Sequence, residues 1–132
     1  MSQTLKKPAY YNTVMPYLIL DDPRGFIDFA INVFGANTRL VAEDENDPDR
    51  GIMHAEITIG DSTIMIGGSS DQWHQQTAGL YITVDDADST YQKALDAGAE
   101  TVTELSDQEY GSTGGVKDPF GNTWWITSMP RN

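Results

Sequence analysis

The sequence predicts an α+β fold in which two βαβββ modules form an open eight-stranded mixed sheet around one cavity. Two observations support this prediction. Segments with strand and helix periodicity follow one another in the order strand, helix, strand, strand, strand, and this order then occurs a second time. Turn and capping residues recur with it at a nearly constant spacing. With 132 residues, the chain has the length of one domain, predicted over 1–132.

The first module is predicted over about residues 13–67. Apolar residues recur at helical spacing after Asp22, which has the side chain of an N-cap, and Pro23, which favours the first helical position. Gly35 is expected to end this helix. A Gly-Asp pair at 60–61 predicts a hairpin turn. The strands of the module are predicted at 14–20, 38–43, 54–59 and 63–66, with an acidic turn at 44–51.

The second module is predicted over about residues 78–128, beyond a polar loop at 67–77. Its helix is expected to begin after Asp86 and to end before Gly98. Pro, Gly and Asn at 118–122 predict a turn before the last strand. The predicted elements are a strand at 80–84, a helix at 87–97, and strands at 100–104, 114–117 and 123–127.

The two modules share their capping and turn residues, which indicates an internal repeat. The N-caps are 64 residues apart, the glycines that end the helices 63, and the glycines of the last turns 61. Each module covers one face of its strands with a helix, so the two remaining faces are expected to meet around a cavity. The matching pairs are Asp22 and Asp86, Gly35 and Gly98, and Gly60 and Gly121.

Charge and composition limit the classes of partner. The formal net charge is −12 and the isoelectric point is about 4.2, so the surface repels nucleic-acid phosphates and anionic lipid. The chain has no cysteine, which excludes disulfides and thiolate metal sites. We find neither a signal peptide nor an apolar run near the ~20 residues of a membrane span. These features predict a cytoplasmic protein that binds neither nucleic acid nor membrane.

Alternation along the strands indicates which side chains face the cavity. In the strand at 54–59 the odd-numbered residues are apolar, whereas His54, Glu56 and Thr58 are polar. The apolar side is expected under the helix and the mixed side toward the cavity. In the first strand both sides are apolar, so alternation assigns neither. In the second module the same reasoning predicts that five residues face the cavity: Gly79, Tyr81, Thr83, Trp125 and Thr127.

Five segments spread along the chain carry a family resemblance. They are PYLILDD at 16–22, FGA at 34–36, IMHAEITIGDSTIMI at 52–66, LYITVDDAD at 80–88 and DPFGNTWWI at 118–126. Together they resemble the vicinal oxygen chelate superfamily, which includes glyoxalase I, fosfomycin-resistance enzymes, extradiol dioxygenases and bleomycin-resistance proteins. The closer likeness is to its PhnB-like branch. The resemblance implies the duplicated βαβββ fold and, by analogy with related domains, a homodimer.

The same resemblance locates the positions of a metal. Metal-dependent members hold a divalent ion with His and Glu at four inward positions, and these correspond here to Met15, Ile64, Gly79 and Trp125. The register also allows Met65 in place of Ile64. None of these side chains offers the imidazole or carboxylate that such ions need. The expectation is therefore a cavity with no metal and no other cofactor.

His54 and Glu56 are the candidate catalytic residues. Because they stand two positions apart on one strand, they share a face and are able to act as acid and base or as two ligands of an ion. The alternative is a hydrogen-bonded polar pair in a wet cavity or at a solvent-facing edge.

Aromatic residues supply the other candidates. Trp125 is expected to stack on a flat ligand, the alternative being a core residue that closes the cavity. Trp73, in the polar loop, is expected to form a lid over the pocket or else to contact solvent or a second subunit. The predicted ligand-binding residues are Met15, Tyr17, His54, Ile64, Trp73, Gly79, Tyr81, Tyr110 and Trp125.

The predicted function is that of a metal-independent small-molecule-binding protein of the glyoxalase/bleomycin-resistance type. The alternative is a lyase, isomerase or dioxygenase-like enzyme of the same superfamily that uses His54 and Glu56, with or without a divalent metal. A third class is a regulatory domain whose cavity is filled by its own side chains.

Overall fold

In the computed structural model, which describes residues 6–130, the helices and strands follow the predicted order twice. This confirms the α+β fold with two βαβββ modules. A short 3-10 helix at Pro48–Arg50 occupies the predicted acidic turn. The elements are β1 (Tyr17–Leu20), α1 (Pro23–Phe34), β2 (Asn37–Glu43), β3 (Ile52–Ile59), β4 (Ser62–Gly68), β5 (Gly79–Thr83), α2 (Ala87–Asp96), β6 (Glu100–Gln108), β7 (Gly111–Lys117) and β8 (Thr123–Ser128).

The eight strands are divided between two four-stranded sheets of the same topology. The first sheet has the order β1-β4-β3-β2 and the second the order β5-β8-β7-β6. In each sheet the first strand runs parallel to the last strand of its module, and the other neighbours are antiparallel. The equal topology of the two halves agrees with the repeat seen in the sequence.

Both helices begin at the predicted N-caps and α1 ends at the predicted Gly35, whereas α2 ends at Asp96, one residue before the predicted end, with Ala97 as its C-cap. The Asp22 carboxylate accepts a hydrogen bond from the Gly25 amide at 2.9 Å, and Pro23 follows it at the first helical position. Gly35 has φ = 69°, a left-handed conformation that costs glycine little, and its amide donates to the Ile31 carbonyl. The Asp86 carboxylate caps α2 in the same way.

One hydrophobic core is shared by the two modules on the helix-bearing side of both sheets. Ala55, Ile57 and Ile66 of the first sheet lie beneath α1, as alternation predicts. The rings of Phe26, on α1, and Trp124, on β8, are stacked at an interplanar angle of 18°, with centroids 6.3 Å apart. The first helix therefore packs against both sheets, and the opposite face of each sheet carries no helix.

The strands β6 and β7 are longer than predicted. They pair from Glu100–Lys117 to Gln108–Gly111, whereas the sequence predicts strands only at 100–104 and 114–117. Apart from Leu105, the added residues at 105–108 and 111–113 are polar or glycine and carry no apolar alternation, so the sequence does not signal their pairing. Tyr110 consequently lies in the turn between the two strands.

Within residues 6–130, we find no helix that is both long enough and apolar enough to span a bilayer.

Candidate functional site

Each sheet has one face that no helix covers, called here its open face. In the first sheet Tyr17 and Glu56 both pair with Met65 across the strands, so these side chains share the open face with His54. In the second sheet Tyr81 pairs with Trp125 on the open face. His54 and Trp125 therefore lie on corresponding faces of the two sheets, as the repeat predicts.

A pocket of about 680 Å³ lies on the open face of the first sheet. Its walls are mainly apolar, and its polar groups include the Tyr17 hydroxyl and the His54 imidazole. The residues that line it come from the first module and the loop that follows, and they include Ile19, Arg50, Met53 and Trp73. In the isolated chain the pocket thus receives no side chain from the second sheet.

The loop after β4 holds Trp73 at this pocket. Ser70 closes a small turn with Trp73, since its amide donates to the Trp73 carbonyl at 2.8 Å. The Gln75 side chain accepts from the Asp21 amide at 2.8 Å, and Gln76 bridges to Ile19 of β1 through two backbone hydrogen bonds. This loop is attached to the first strand, which fixes the indole at the edge of the pocket.

A segment ahead of β1, residues 10–12, covers the other half of this open face and is called the N-terminal strap. The Asn12 side chain accepts from the Thr63 amide at 2.9 Å and donates to the Asp61 carbonyl at 3.2 Å. The Arg39 guanidinium lies 5.6 Å from the centre of the Tyr10 ring, within cation–π range. The strap thus covers the part of the face around Glu56 and leaves the pocket beside it open.

The strap encloses Glu56, whose residue surface is 3% exposed. Its Oε1 accepts from the Tyr10 hydroxyl at 2.6 Å, and its Oε2 accepts from the Tyr11 hydroxyl and from His54 Nε2, both at 2.8 Å. Burial by itself would raise the pKa of Glu56, but the hydrogen bonds from Tyr10, His54 and Tyr11 outweigh burial and hold the pKa below 4.5. The carboxylate is ionised at neutral pH and stabilised by its neighbours.

The two strap tyrosines show the reciprocal effect. Their hydrogen bonds to Glu56, with smaller contributions from burial and from the negative charge of the carboxylate, raise the pKa of Tyr10 to about 12 and raise that of Tyr11. Both phenols therefore stay protonated and act as donors throughout the neutral range.

The ionised carboxylate fixes the tautomer of His54. A carboxylate only accepts, so Nε2 carries the proton that is donated to Glu56, and Nδ1 of the neutral ring is left as an acceptor. The Tyr17 hydroxyl lies 3.1 Å from Nδ1 and donates to it. Gly67 makes room for this contact, because a Cβ there would lie 3.0 Å from the Tyr17 ring. The result is a continuous chain from Glu56 through His54 to Tyr17.

The second open face presents an aromatic pair to solvent. Tyr81 is 60% exposed and Trp125 is 38% exposed. The Trp125 ring lies over Gly115, where a Cβ would overlap it. Trp125 is thus a flat plate on the sheet, and the adjacent Trp124 belongs to the core, as alternation predicts.

The structure brings together only some of the predicted ligand-binding residues. Tyr17, His54 and Trp73 line the pocket of the first sheet. Ile64 pairs with Ile57 and lies in the core, so the register is resolved in favour of Met65 on the open face. The remaining predicted residues lie outside the lining of this pocket: Met15 just before β1, Gly79, Tyr81 and Trp125 on the second sheet, and Tyr110 in the β6–β7 turn.

Met53 and Arg50 were not predicted from the sequence, although both line the pocket. Strict alternation assigns Met53 to the helix side. The β2–β3 pairing is irregular between Ala42 and Glu43, and this bulge turns Met53 outward. Arg50 follows a run of acidic residues and gives no signal of its own. The strap tyrosines were also missed, because they stand outside every predicted element.

The residues at the family's metal positions do not fit a divalent ion. Met15, Met65, Gly79 and Trp125 offer no carboxylate or imidazole. Both oxygens of Glu56 already accept hydrogen bonds from protein groups. In the described part of the chain, no three side chains of His, Cys, Asp or Glu come together in a way that would hold a metal.

The duplicated βαβββ architecture with a pocket on a helix-free face defines a known class of domain. The sequence profile of the Glyoxalase/Bleomycin resistance protein/Dioxygenase superfamily matches residues 11–126, and the chain belongs to this superfamily. It is 34% identical over 121 residues to the uncharacterized protein Mb0911c of Mycobacterium bovis, a match that covers 83% of this chain and 78% of that protein.

Solved structures share the fold. The PhnB protein from Bacillus cereus has a TM-score of 0.74 at 19% identity, and the match covers 89% of this chain and 99% of that chain. TnmS3, an antibiotic binding protein from Streptomyces sp. CB03234, has a TM-score of 0.69 at 14% identity, and the match covers 94% of this chain and 100% of that chain. At these identities the likeness shows the fold alone.

Proposed function

We propose that the chain is a metal-independent small-molecule-binding protein whose site is the pocket on the open face of the first sheet. The observation that carries the proposal is the composition of this pocket. Ile19, Met53 and Trp73 supply apolar and aromatic walls, and Tyr17 and His54 supply oriented polar groups. Such a combination is typical of sites for small, partly aromatic ligands.

Two further observations support binding without a metal. The side chains at the family's metal positions are not ligands for a hard or borderline ion, and Glu56 is enclosed by the strap. The fold is also that of TnmS3, which is an antibiotic binding protein, so the architecture is compatible with sequestering a small molecule. The protein is proposed to act in the cytoplasm.

An enzymatic function that uses His54 and Glu56 is the second candidate, in the form of a lyase or isomerase. The observation that favours it is the hydrogen bond of 2.8 Å between the two side chains. Because Glu56 is buried beneath the strap, it would act by orienting His54 rather than by touching a substrate. If the protein converts a bound compound and the His54→Gln variant no longer does so, the enzymatic function would take the place of the binding function.

The protein is proposed to form a homodimer in which the second open face of one copy covers the pocket of the other. Tyr81 and Trp125 are aromatic and exposed, and they lie on the face equivalent to the one that carries the pocket. Exposed aromatic residues in a cluster are enriched at interfaces between proteins. The internal repeat supports this pairing, since it provides two similar faces per chain.

Replacing Trp73 with Ala is expected to weaken binding of 8-anilinonaphthalene-1-sulfonate about tenfold, because the indole wall contributes on the order of 1.4 kcal/mol. Tyr110→Ala is the matched control, since Tyr110 is exposed to the same degree, 56% against 55%, but lies away from the pocket. Fluorescence titration of the dye measures both constants. If both variants weaken dye binding equally, or if neither weakens it, the proposed site is contradicted.

Replacing Trp125 with Glu is expected to convert the dimer into a monomer, because a charge on the second open face would be buried without a partner. Light scattering coupled to size-exclusion chromatography measures the mass. The control is Ile31→Glu, at an exposed position on α1, and it should leave the dimer intact. A wild-type protein with the mass of one chain would refute the proposed dimer.

A further inference from the structure

Three hydrogen-bonded side chains lead from the interior of the first sheet to its pocket. Glu56 is at the buried end and is bonded to His54 Nε2 at 2.8 Å. Tyr17 is at the pocket end, 52% exposed, with its hydroxyl 3.1 Å from His54 Nδ1. The Tyr17 and His54 rings are stacked with centroids 5.7 Å apart, which holds the imidazole against the pocket wall.

The directions of these hydrogen bonds leave Tyr17 as an acceptor for a ligand. Its own proton is donated to Nδ1, so the lone pairs of its oxygen are free for a donor in the pocket. Nδ1 is the imidazole nitrogen that is able to take a proton, and it takes it from Tyr17, since Nε2 already donates to Glu56. A hydroxyl that meets Tyr17 is thus connected, through the Tyr17 oxygen, to an imidazole that is hydrogen-bonded to a buried carboxylate.

We propose that the pocket takes a ligand with a phenolic or enolic hydroxyl, and that Tyr17 and His54 accept the proton of that hydroxyl while Glu56 stays ionised as the counter-charge. The ligand O–H proton passes to the Tyr17 oxygen as the Tyr17 proton passes to His54 Nδ1. The products are the ligand anion, a neutral Tyr17 and an imidazolium paired with Glu56. This inference rests on the proposed small-molecule function.

The surroundings of the pocket favour a phenol or an enol over an alcohol. Apolar walls fit a flat conjugated body, and the anion of such a compound is delocalised and loses less hydration than an alkoxide. Arg50, a cation at the pocket, is only weakly paired, with 3.4 Å to Asp44, and its buried Nε contacts no acceptor among the residues that the structure describes. Its charge favours an anion in the pocket.

The charged and titratable groups around His54 come from four elements. They are Glu56 on β3, Tyr17 on β1, Arg50 on the 3-10 helix, and Tyr10 and Tyr11 on the strap behind Glu56. Tyr10 and Tyr11 stay protonated and carry no charge. The negative charge that balances an imidazolium at His54 therefore comes from Glu56. Tyr17, His54 and Glu56, together called the relay, therefore have a net charge of −1 before the proton transfer and zero after it, and the ligand gains the negative charge.

The test uses 4-nitrophenol, whose anion is coloured, at saturating protein so that differences in affinity do not enter. The absorbance of the bound probe is followed against pH. In the wild type, ionisation should occur at least about one pH unit lower than in buffer, a tenfold change in the ionisation constant. Tyr17→Phe and His54→Gln should return the midpoint toward the value in buffer. Tyr110→Phe, which removes a phenol outside the pocket, should keep the shift.

A second probe separates failure of this inference from failure of the proposed function. 4-Nitroanisole keeps the nitrophenyl ring but has a methoxy group in place of the ionisable hydroxyl, and calorimetry reports its binding. If both probes bind and the midpoint of 4-nitrophenol is unchanged, or if the shift survives in Tyr17→Phe, proton acceptance by the relay is refuted and the pocket stands. If neither probe nor the naphthalene dye binds, the proposed function itself is overturned.

Discussion

Replacing Glu56 with Gln is expected to lower the free energy of unfolding by about 3 kcal/mol at pH 7, because hydrogen bonds to a buried charge contribute about 1.5–3 kcal/mol each. The carboxylate accepts from Tyr10, Tyr11 and His54, and an amide retains only one acceptor oxygen for these three donors. The amide nitrogen would face a phenol or the imidazole. Urea unfolding followed by circular dichroism measures the loss.

The pH dependence of this loss follows from the lowered pKa of Glu56. A carboxyl group with a lower pKa in the folded state stabilises the fold fully above its ordinary value of 4.5. This stabilisation is lost as the pH falls below 4.5 and through the lowered pKa. The wild type should therefore approach the Glu56→Gln variant in stability at acid pH.

The matched control for this prediction is Glu104→Gln, at an exposed position on β6. It removes the same charge where no burial is involved, and it should change the free energy by less than about 0.5 kcal/mol. A Glu56→Gln variant as stable as the control at pH 7 would show that the strap does not depend on the carboxylate.

Replacing Asp118 with Asn is also expected to cost about 3 kcal/mol, since it would leave buried donors without an acceptor at about 1–3 kcal/mol each. Asp118 is 3% exposed and organises the turn before β8. Its Oδ1 accepts from the amides of Phe120 and Asn122, both at 2.9 Å. Its Oδ2 accepts from Trp124 Nε1 at 2.8 Å. An Asn amide would direct N–H groups at one of these two sets of donors.

The control for Asp118 is Asp61→Asn in the corresponding turn of the first module. Asp61 is exposed, and within residues 6–130 its carboxylate accepts only a long bond of 3.4 Å from Ser62. Thermal unfolding of the two variants should show a large decrease for Asp118→Asn and almost none for Asp61→Asn. Comparable midpoints would mean that the turn tolerates the loss of its acceptor.

Most of the fold follows from local signals in the sequence. The caps at Asp22 and Gly35 define the first helix because a carboxylate satisfies amides that the helix leaves free, and because glycine adopts positive φ at little cost. The hairpin at Gly60 and the alternation from Ala55 to Ile59 are equally local. These features depend on residues that are close together in the chain, so local sequence patterns are sufficient to predict them.

The parts of the site that depend on distant contacts could not be predicted. The strap joins Tyr10 to Glu56, 46 positions further along the chain, and no periodicity reports that contact. Met53 faces the pocket only because of a bulge in the pairing with β2, which a single strand's pattern does not contain. By contrast, His54 and Glu56 were predicted as neighbours on one face, since that relation requires only the two-residue repeat of a strand.

The packing of the first helix against both sheets affects how the molecule loses its structure. Phe34 belongs to the first repeat, yet its ring centroid lies 4.4 Å from that of Trp124 in the second. Loosening either repeat by heat removes the packing partner of the other, so neither half retains its aromatic contacts alone. Although the chain consists of two units of equal topology, it should melt in a single cooperative transition.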